Sequence, residues 1–291
     1  MTEHCLRRHV LVTGASSGIG QATAIRLAGA GDHVFATVRS QVAADELSRP
    51  GITSLVMDVT NTSQIQAAVD RISAHTATLD ILINNAGIGL TGPLEFVDLD
   101  SLRQVYEVNV VGQVAVIQAT LPLIRAAGGT IVLIGTVGDR IQIPFGGPLA
   151  SSKHALRSLS GTLRLELAPW DIHVVLVEPG SIRTPAVDKT IPELPEKVLA
   201  RLAPDAVGLY GRAYTAMTTQ FRRSELAGDP PTVVADAILR ITRTKRPKSG
   251  YLVGKDSRRL ASIARLPPVI LDRVRRRMFD VPPDDADRTD R

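Results

Sequence analysis

The chain holds one cysteine, Cys5, in 291 residues, so no intrachain disulfide can form. That usage suits a reducing compartment, and the expected location is the cytoplasm. The sequence contains no apolar run of the roughly 18 residues that a spanning helix needs, and no signal-peptide pattern opens it. It has no spacing of metal ligands and no Ser/His/Asp hydrolase signature. No internal repeat and no long linker breaks it up. The net charge is +5, yet no recognition motif accompanies the basic residues, which argues against a nucleic-acid partner. At 44% hydrophobic and 22% charged residues, composition excludes a disordered chain. The length suits one large α/β domain or two small ones.

Charge is unevenly placed. Between Arg240 and Met278 basic residues far outnumber acidic ones, ending in Arg273, Arg275, Arg276 and Arg277. Leu260, Ile263, Leu266, Val269, Ile270 and Leu271 interleave with them. This segment reads either as a solvated basic face or as a contact for an anionic membrane surface.

Apolar strand-like runs alternate with amphipathic stretches. His9–Val12 is followed by Thr13-Gly14-Ala15-Ser16-Ser17-Gly18-Ile19-Gly20 and a helical pattern from Gln21 to Ala30. In such a turn Gly14 permits the tight bend, and Gly18 and Gly20 remove Cβ atoms where a pyrophosphate and the strand approach the helix. The helix N-terminus offers free N–H groups to phosphate. The second run, His33–Val38, ends in Arg39 rather than an acid. An acid there would hold a ribose 2′-hydroxyl, whereas a guanidinium favours a 2′-phosphate, and Ser16 adds a hydroxyl. The reading is NADP(H) over NAD(H). A third run, Ile52–Met57, closes in Asp58-Val59, and a fourth, Leu79–Ile83, in Asn84-Asn85-Ala86-Gly87. A long amphipathic stretch from Leu99 to Ala126, interrupted only by Pro122, carries Asn109 among apolar neighbours. A buried amide needs partners there. A strand at Ile131–Ile134 leads through a loop containing Thr136 to a helix starting near Leu149 and carrying Lys153. His173–Val177 precedes Glu178-Pro179-Gly180-Ser181-Ile182-Arg183-Thr184. One helix per crossover requires a parallel sheet covered on both faces, with ligand at the carboxyl ends of the strands.

These motifs, T-G-x-x-x-G-x-G, N-N-A-G and P-G-x-x-x-T, resemble those of the short-chain dehydrogenase/reductase family. V-F-A-T-x-R and V-E-P-G-S-I-R-T look most like its 17β-hydroxysteroid and retinol dehydrogenase-like branch. The resemblance covers roughly residues 8–256 and implies a doubly wound Rossmann-type α/β fold in three layers. Residues 185–231 would form a helical lid, and 257–291 a basic helical appendage with an acidic tail. It implies that NADP(H) is held by Gly14, Ser16, Ser17, Gly18, Ile19, Gly20, Arg39, Asp58, Val59, Asn85, Ala86, Gly87, Lys153, Pro179, Gly180, Ile182 and Thr184. Asp58 would contact the adenine edge, Ile182 the carboxamide and Thr184 the pyrophosphate. Asn109 would hold a water that touches Lys153, and the helices carrying these two residues would form the face of a homodimer or homotetramer.

The family also places a Tyr four residues before the Lys, and a Ser thirteen residues before the Tyr. Here those positions hold Leu149 and Thr136, and no Tyr occurs between Tyr106 and Tyr210. Thr136 can still donate a hydrogen bond and Lys153 can still hold the nicotinamide ribose, but Leu149 donates nothing. Asn109, Thr136 and Lys153 are the remaining catalytic candidates, with Asp139, Tyr210 and Tyr214 as possible surrogate donors. Tyr210, Tyr214, Met217 and Phe221 share one face of the lid helix, which suits an apolar substrate. Three functions compete: an NADP(H) oxidoreductase with altered chemistry, a non-redox cyclase or dehydratase on the same fold, and a cofactor-binding protein without turnover.

Overall fold

The computed structural model describes residues 7–191 and 195–280. Cys5 and the acidic tail from Pro282 lie outside the described residues. The elements run β1 (His9–Val12), α1 (Gly18–Gly29), β2 (His33–Val38), α2 (Gln41–Leu47), β3 (Ile52–Val56), α3 (Thr62–Ser73) and β4 (Ile81–Asn84). Then come α4 (Leu99–Tyr106), α5 (Gly112–Ala127), β5 (Thr130–Ile134), α6 (Gly138–Ile141), α7 (Gly147–Glu166) and β6 (His173–Pro179). The chain continues with α8 (Ala186–Thr190), α9 (Pro195–Leu199), α10 (Pro204–Leu226), α11 (Pro231–Thr242), β7 (Gly250–Val253), α12 (Ser257–Ile263) and α13 (Pro268–Met278).

The seven strands pair in the order β3-β2-β1-β4-β5-β6-β7, all parallel. Their near-continuous apolar runs follow from burial on both faces. Alternate residues of one strand point to opposite faces, and the cores divide that way. Val10, Val12, Val34 and Ile83 pack with Ala24 and Leu27 of α1 and Ile238 of α11. Leu11, Phe35, Leu82 and Leu133 pack with Ile65 of α3, Ile117 of α5 and Leu156 of α7. This is the doubly wound, three-layer arrangement that the alternating pattern requires.

Two local expectations need correction. Pro122 sits inside α5 without ending it. The interruption lies at Glu107–Val111, a widened π-turn between α4 and α5 that contains Asn109. The absence of a span-length apolar segment also fails: Leu99–Ala127 is long and apolar enough to cross a membrane. In this fold its α5 portion lies against α3 and β4, so its apolar residues serve packing.

The basic C-terminal helices pack onto the rest of the fold. α12 contacts α6 and β7. Phe279, just past α13, is buried with Ile191, Tyr214 and Met217, and Met278 and Phe221 pack against them. The segment read from sequence as an appendage therefore packs over α10, the helix read from sequence as part of a lid.

Candidate active site

At the carboxyl ends of β1 and β4 the Gly-rich turn is shaped by contacts that exclude side chains. Gly14 has φ +64°, and a Cβ there would meet the Ala86 Cα at 2.8 Å. A Cβ on Gly20 would come within 2.4 Å of the Gly14 carbonyl oxygen. Thr13 fastens this turn to β4: its Oγ1 accepts from the backbone N–H groups of Asn85 at 2.9 Å and Ala86 at 3.0 Å. Asn85 Nδ2 donates back to the Thr13 carbonyl at 2.9 Å. Asn84 Nδ2 donates to the Gln113 carbonyl at 2.9 Å, and Gln113 Nε2 donates to the Ala86 carbonyl. Thr13 opens the T-G-x-x-x-G-x-G motif but was given no role there, and Gln113 was not singled out from the sequence. Only the packing of β1, β4 and α5 reveals their part.

This turn borders a cavity of about 720 Å³. Of the residues read as cofactor ligands, Gly14, Ser16, Ser17, Gly18, Ile19, Arg39, Asp58, Val59, Asn85, Ala86, Gly87 and Thr184 line it. Arg39 is exposed at its edge, beyond β2. Asp58 Oδ1 accepts from the Thr60 N–H at 2.9 Å and the Thr60 hydroxyl at 2.8 Å. The Thr60 backbone bond, with Arg39 contributing at longer range, holds the Asp58 carboxyl below its ordinary value. Gly20 lies behind the turn, and Pro179 ends β6. Ile182 is buried, bridges Asp229, and presents its N–H to Glu225.

Lys153 is buried on α7, and its Nζ donates to the Ile134 carbonyl at 2.8 Å. Burial pushes its ammonium down to about 8, against an opposing pull from Asp139. A Cβ on Gly87 would fall 3.4 Å from Lys153 Nζ and 3.2 Å from Asn109 Oδ1, so these two groups flank Gly87. The Asn109 side chain is fully engaged: Oδ1 accepts from Ile88 N–H at 2.8 Å, and Nδ2 donates to the Ile88 carbonyl at 2.9 Å and to Ser152 Oγ at 3.0 Å. It pins the π-turn to the loop after β4 and to α7. Ser152 is a partner the sequence reading missed.

Leu149 and Thr136 line a second cavity of about 420 Å³, which Gly180 also borders. Thr190 borders both cavities. α7 begins at Gly147, two residues earlier than read from sequence, with Pro148 in its first turn. Leu149 lies one turn before Lys153 and on the same face. Thr136 Oγ1 accepts from Gly138 N–H at 3.0 Å, leaving its own proton for a ligand. The apolar walls include Ile141, Ile143, Met217 and Phe221.

The surrogate donors are otherwise occupied. Asp139 is buried, with Oδ2 accepting from Arg157 Nε at 3.0 Å and Oδ1 from Arg157 Nη2 at 2.5 Å. Arg157 also pairs with Glu178, which takes two bonds from Arg140 at 2.8 and 2.7 Å. Burial alone would raise the Glu178 carboxyl; the two guanidiniums overcome it and hold that carboxyl below its ordinary value. Tyr214 OH meets Thr91 Oγ1 at 2.8 Å, and burial raises the phenol. Tyr210 OH donates to Glu95 Oε2 at 2.7 Å. Neither tyrosine lines the cavity with Leu149. Glu225 does, and no motif marked it beyond a charge near a helix end. Burial pushes its carboxyl up to about 7; the Ser181 hydroxyl and Ile182 N–H pull it down, and Asp256 adds to the rise.

Residues 8–194 match the family model described as short chain dehydrogenase. The chain belongs to the short-chain dehydrogenase family. It is 34% identical over 258 residues to 17-beta-hydroxysteroid dehydrogenase type 1 of Homo sapiens, covering 84% of this chain and 77% of that one. It is 32% identical over 278 residues to the NADPH-dependent 3-dehydrocapnine reductase of Ornithobacterium rhinotracheale, covering 92% and 95%. Among solved structures, a short-chain dehydrogenase from Streptomyces avermitilis superposes with a TM-score of 0.73 at 28% identity, over 94% and 95% of the two chains. Short-chain dehydrogenases are oxidoreductases that use NAD(P)(H) on small molecules and often oligomerise, so the short-chain fold and the nucleotide cavity have one explanation.

Proposed function

We propose that this protein is an NADP(H)-dependent oxidoreductase for an apolar small molecule, working without the family's tyrosine proton donor. The observation that carries the reading is the pairing of two neighbouring cavities, one shaped for a dinucleotide and one apolar beside Leu149. The missing Cβ atoms of the Gly-rich turn, the hydroxyls of Ser16 and Ser17, and Lys153 beside Gly87 fit a nicotinamide dinucleotide. When bound, that group supplies or accepts a hydride. Arg39 at the edge of its cavity favours a 2′-phosphate, and the name of the Ornithobacterium relative includes NADPH dependence.

Thr136 is left to hold a polar atom of the substrate by its free proton. Leu149 excludes water from the same wall and gives no proton. A positioned general acid is worth about 10²–10⁴ in rate, so ordinary ketones are poor substrates for this wall. An iminium suits it better, because it becomes a neutral amine with no alkoxide to protonate. An activated alkene likewise needs less help at oxygen. Exposed Val111 and Leu165, near the π-turn and late in α7, support pairing of two copies through this face.

Titration of the purified protein with NADPH and NADH tests the cofactor, and NADPH loss on offering cyclic imines and enones tests the redox chemistry. Equal affinity for both cofactors defeats the NADP(H) assignment. Leu149 also favours a second reading, a non-redox enzyme or a cofactor-binding protein. Substrate turnover without NADPH consumption selects the former, and tight NADPH binding with no turnover of any acceptor selects the latter.

A further inference from the structure

The 420 Å³ cavity beside Leu149 is not apolar throughout. Arg259 of α12 and Arg277 of α13 line it, and both are exposed, so they stand where it opens to solvent. Neither guanidinium is within salt-bridge distance of a carboxylate among the described residues. Their neighbour Arg275 is different: it pairs with Asp272 at 2.9 Å and also reaches Gln142.

The acidic groups of the same wall are engaged elsewhere. Asp256 accepts the Ser181 N–H through both oxygens, at 3.1 and 3.3 Å. Glu225 faces the Ser181 hydroxyl and the Ile182 N–H, and burial favours its neutral form up to about pH 7. Deeper in, Ile141, Ile143, Met217 and Phe221 make apolar walls. A cavity with an apolar interior and two guanidiniums at the rim, neither with a carboxylate partner among the described residues, suits an amphiphile entering apolar end first. Guanidiniums bind carboxylate, sulfonate or phosphate oxygens by charge-assisted, often bidentate bonds.

We infer that the substrate of this site is an apolar chain or ring system bearing an anionic group, which Arg259 and Arg277 hold at the cavity rim while the apolar part reaches Leu149 and Thr136. This rests on the reading of that cavity as the substrate site and adds the chemical class of its occupant. It concerns a bound small molecule. Attraction of the whole basic face to an anionic membrane is the competing outcome.

The test uses the full chain and four probes of equal chain length: decanoate, decyl sulfate, 1-decanol and decylammonium, each below its micelle concentration. Calorimetric titration is run with and without saturating NADPH. Decanoate and decyl sulfate should bind about tenfold or more tighter than 1-decanol, since a hydrogen bond to a charged group is worth at least about that factor. Arg259→Gln and Arg277→Gln should each remove most of that preference and leave decanol affinity unchanged. Arg273→Gln, an exposed arginine outside the cavity, should retain it. Equal affinity for anion and alcohol, tighter binding of decylammonium, or no binding of any probe overturns the inference. So does loss of the preference in Arg273→Gln, which marks a diffuse field rather than a site. A fifth arm is cosedimentation with phosphatidylserine/phosphatidylcholine vesicles. If Arg259→Gln and Arg277→Gln lose vesicle binding yet keep the decanoate preference, the arginines read a membrane and the inference falls. NADPH affinity, measured in the same titrations, reports separately on the oxidoreductase reading.

Discussion

Leu149→Tyr tests the proposal that this site lacks its family's proton donor at one position. Residue 149 lies on the cavity wall beside Thr136, one helical turn before Lys153. A tyrosine there directs its hydroxyl into the cavity from the Lys153 face of α7. Thr136 has a free proton to share with a carbonyl oxygen. A positioned acid contributes about 10²–10⁴, or roughly 3–5 kcal/mol of barrier. Against this, the larger ring costs about 1–3 kcal/mol if the wall is overpacked. Leu149 is only partly buried and faces open cavity, which places the cost at the lower end.

The assay is NADPH consumption with simple apolar ketones, such as 2-decanone and β-tetralone, at saturating cofactor. Native protein should be slow or inert, and Leu149→Tyr should gain at least about a hundredfold. Adding Thr136→Ser should help further by removing a methyl group beside the carbonyl. Thermal melting and NADPH titration establish that each variant folds and binds cofactor. Native rates typical of enzymes would show that a donor already exists and refute the reasoning. A folded, NADPH-binding Leu149→Tyr that leaves every ketone untouched refutes it from the other side, because the cavity would then fail for reasons other than the absent phenol.

Arg39→Ala should weaken NADPH by about tenfold or more and leave NADH within about twofold, as expected for a lost charge-assisted contact to phosphate; parallel fluorescence titrations decide it. Lys153→Ala should weaken NADPH even though residue 149 is leucine, because the Lys153 amine is held by the Ile134 carbonyl and not by a phenol; an unchanged dissociation constant removes Lys153 from the site. Glu225 gives a pH signature. Its carboxyl rises from 4.5 to about 7 on folding, so the native state holds the proton more tightly, and this contribution is full below about 4.5 and lost as pH climbs through about 7. At about 1.4 kcal/mol per unit the loss is at most about 3.5 kcal/mol, several degrees in Tm. Glu225→Gln should flatten the Tm profile between pH 5 and 8, and a variant profile parallel to the native one counts against the buried carboxyl.

Local motifs were legible because their geometry is local. The Gly-rich turn needs only strand, glycines and helix, and residues 9–29 form those elements, with the helix starting three residues earlier than the reading. Leu149 and Lys153 share a face because a helix turns every 3.6 residues. Groups that depend on distant partners were not legible. Asn109 read as a buried amide in need of partners; those partners, Ile88 and Ser152, come from two other segments. Asp139 looked like a free carboxyl until α7 brought Arg157 to it and β6 brought Glu178. The basic C-terminal helices carry an amphipathic pattern, and pattern alone does not say what the apolar face covers. Phe279 and Met278 cover α10, and this makes Arg277 part of the cavity rim.

On the proposal that Leu149 stands at the family's tyrosine position, the same geometry accounts for how the fold tolerates leucine there. Lys153 needs an acceptor in a buried setting, since an unpaired buried ammonium is costly. The Ile134 carbonyl is that acceptor, and it belongs to β5, which the sheet fixes regardless of residue 149. Asn109 likewise holds its loop through Ile88 and Ser152, without a phenol. Leu149 lines the part of its cavity walled by Ile141, Ile143, Met217 and Phe221, where leucine leaves no polar atom unsatisfied. Leucine at 149 therefore leaves the groups beside the nucleotide cavity undisturbed, and on the proposed reading it takes away only a proton donor. Its remaining consequence falls on Lys153, whose ammonium burial lowers to about 8 with no nearby phenolate to hold the charge. Between pH 7 and 9 the lysine passes from charged to neutral. NADPH affinity should decline over that interval in native protein. In Lys153→Ala the decline should be absent, and a decline of equal size in both would assign it to another group.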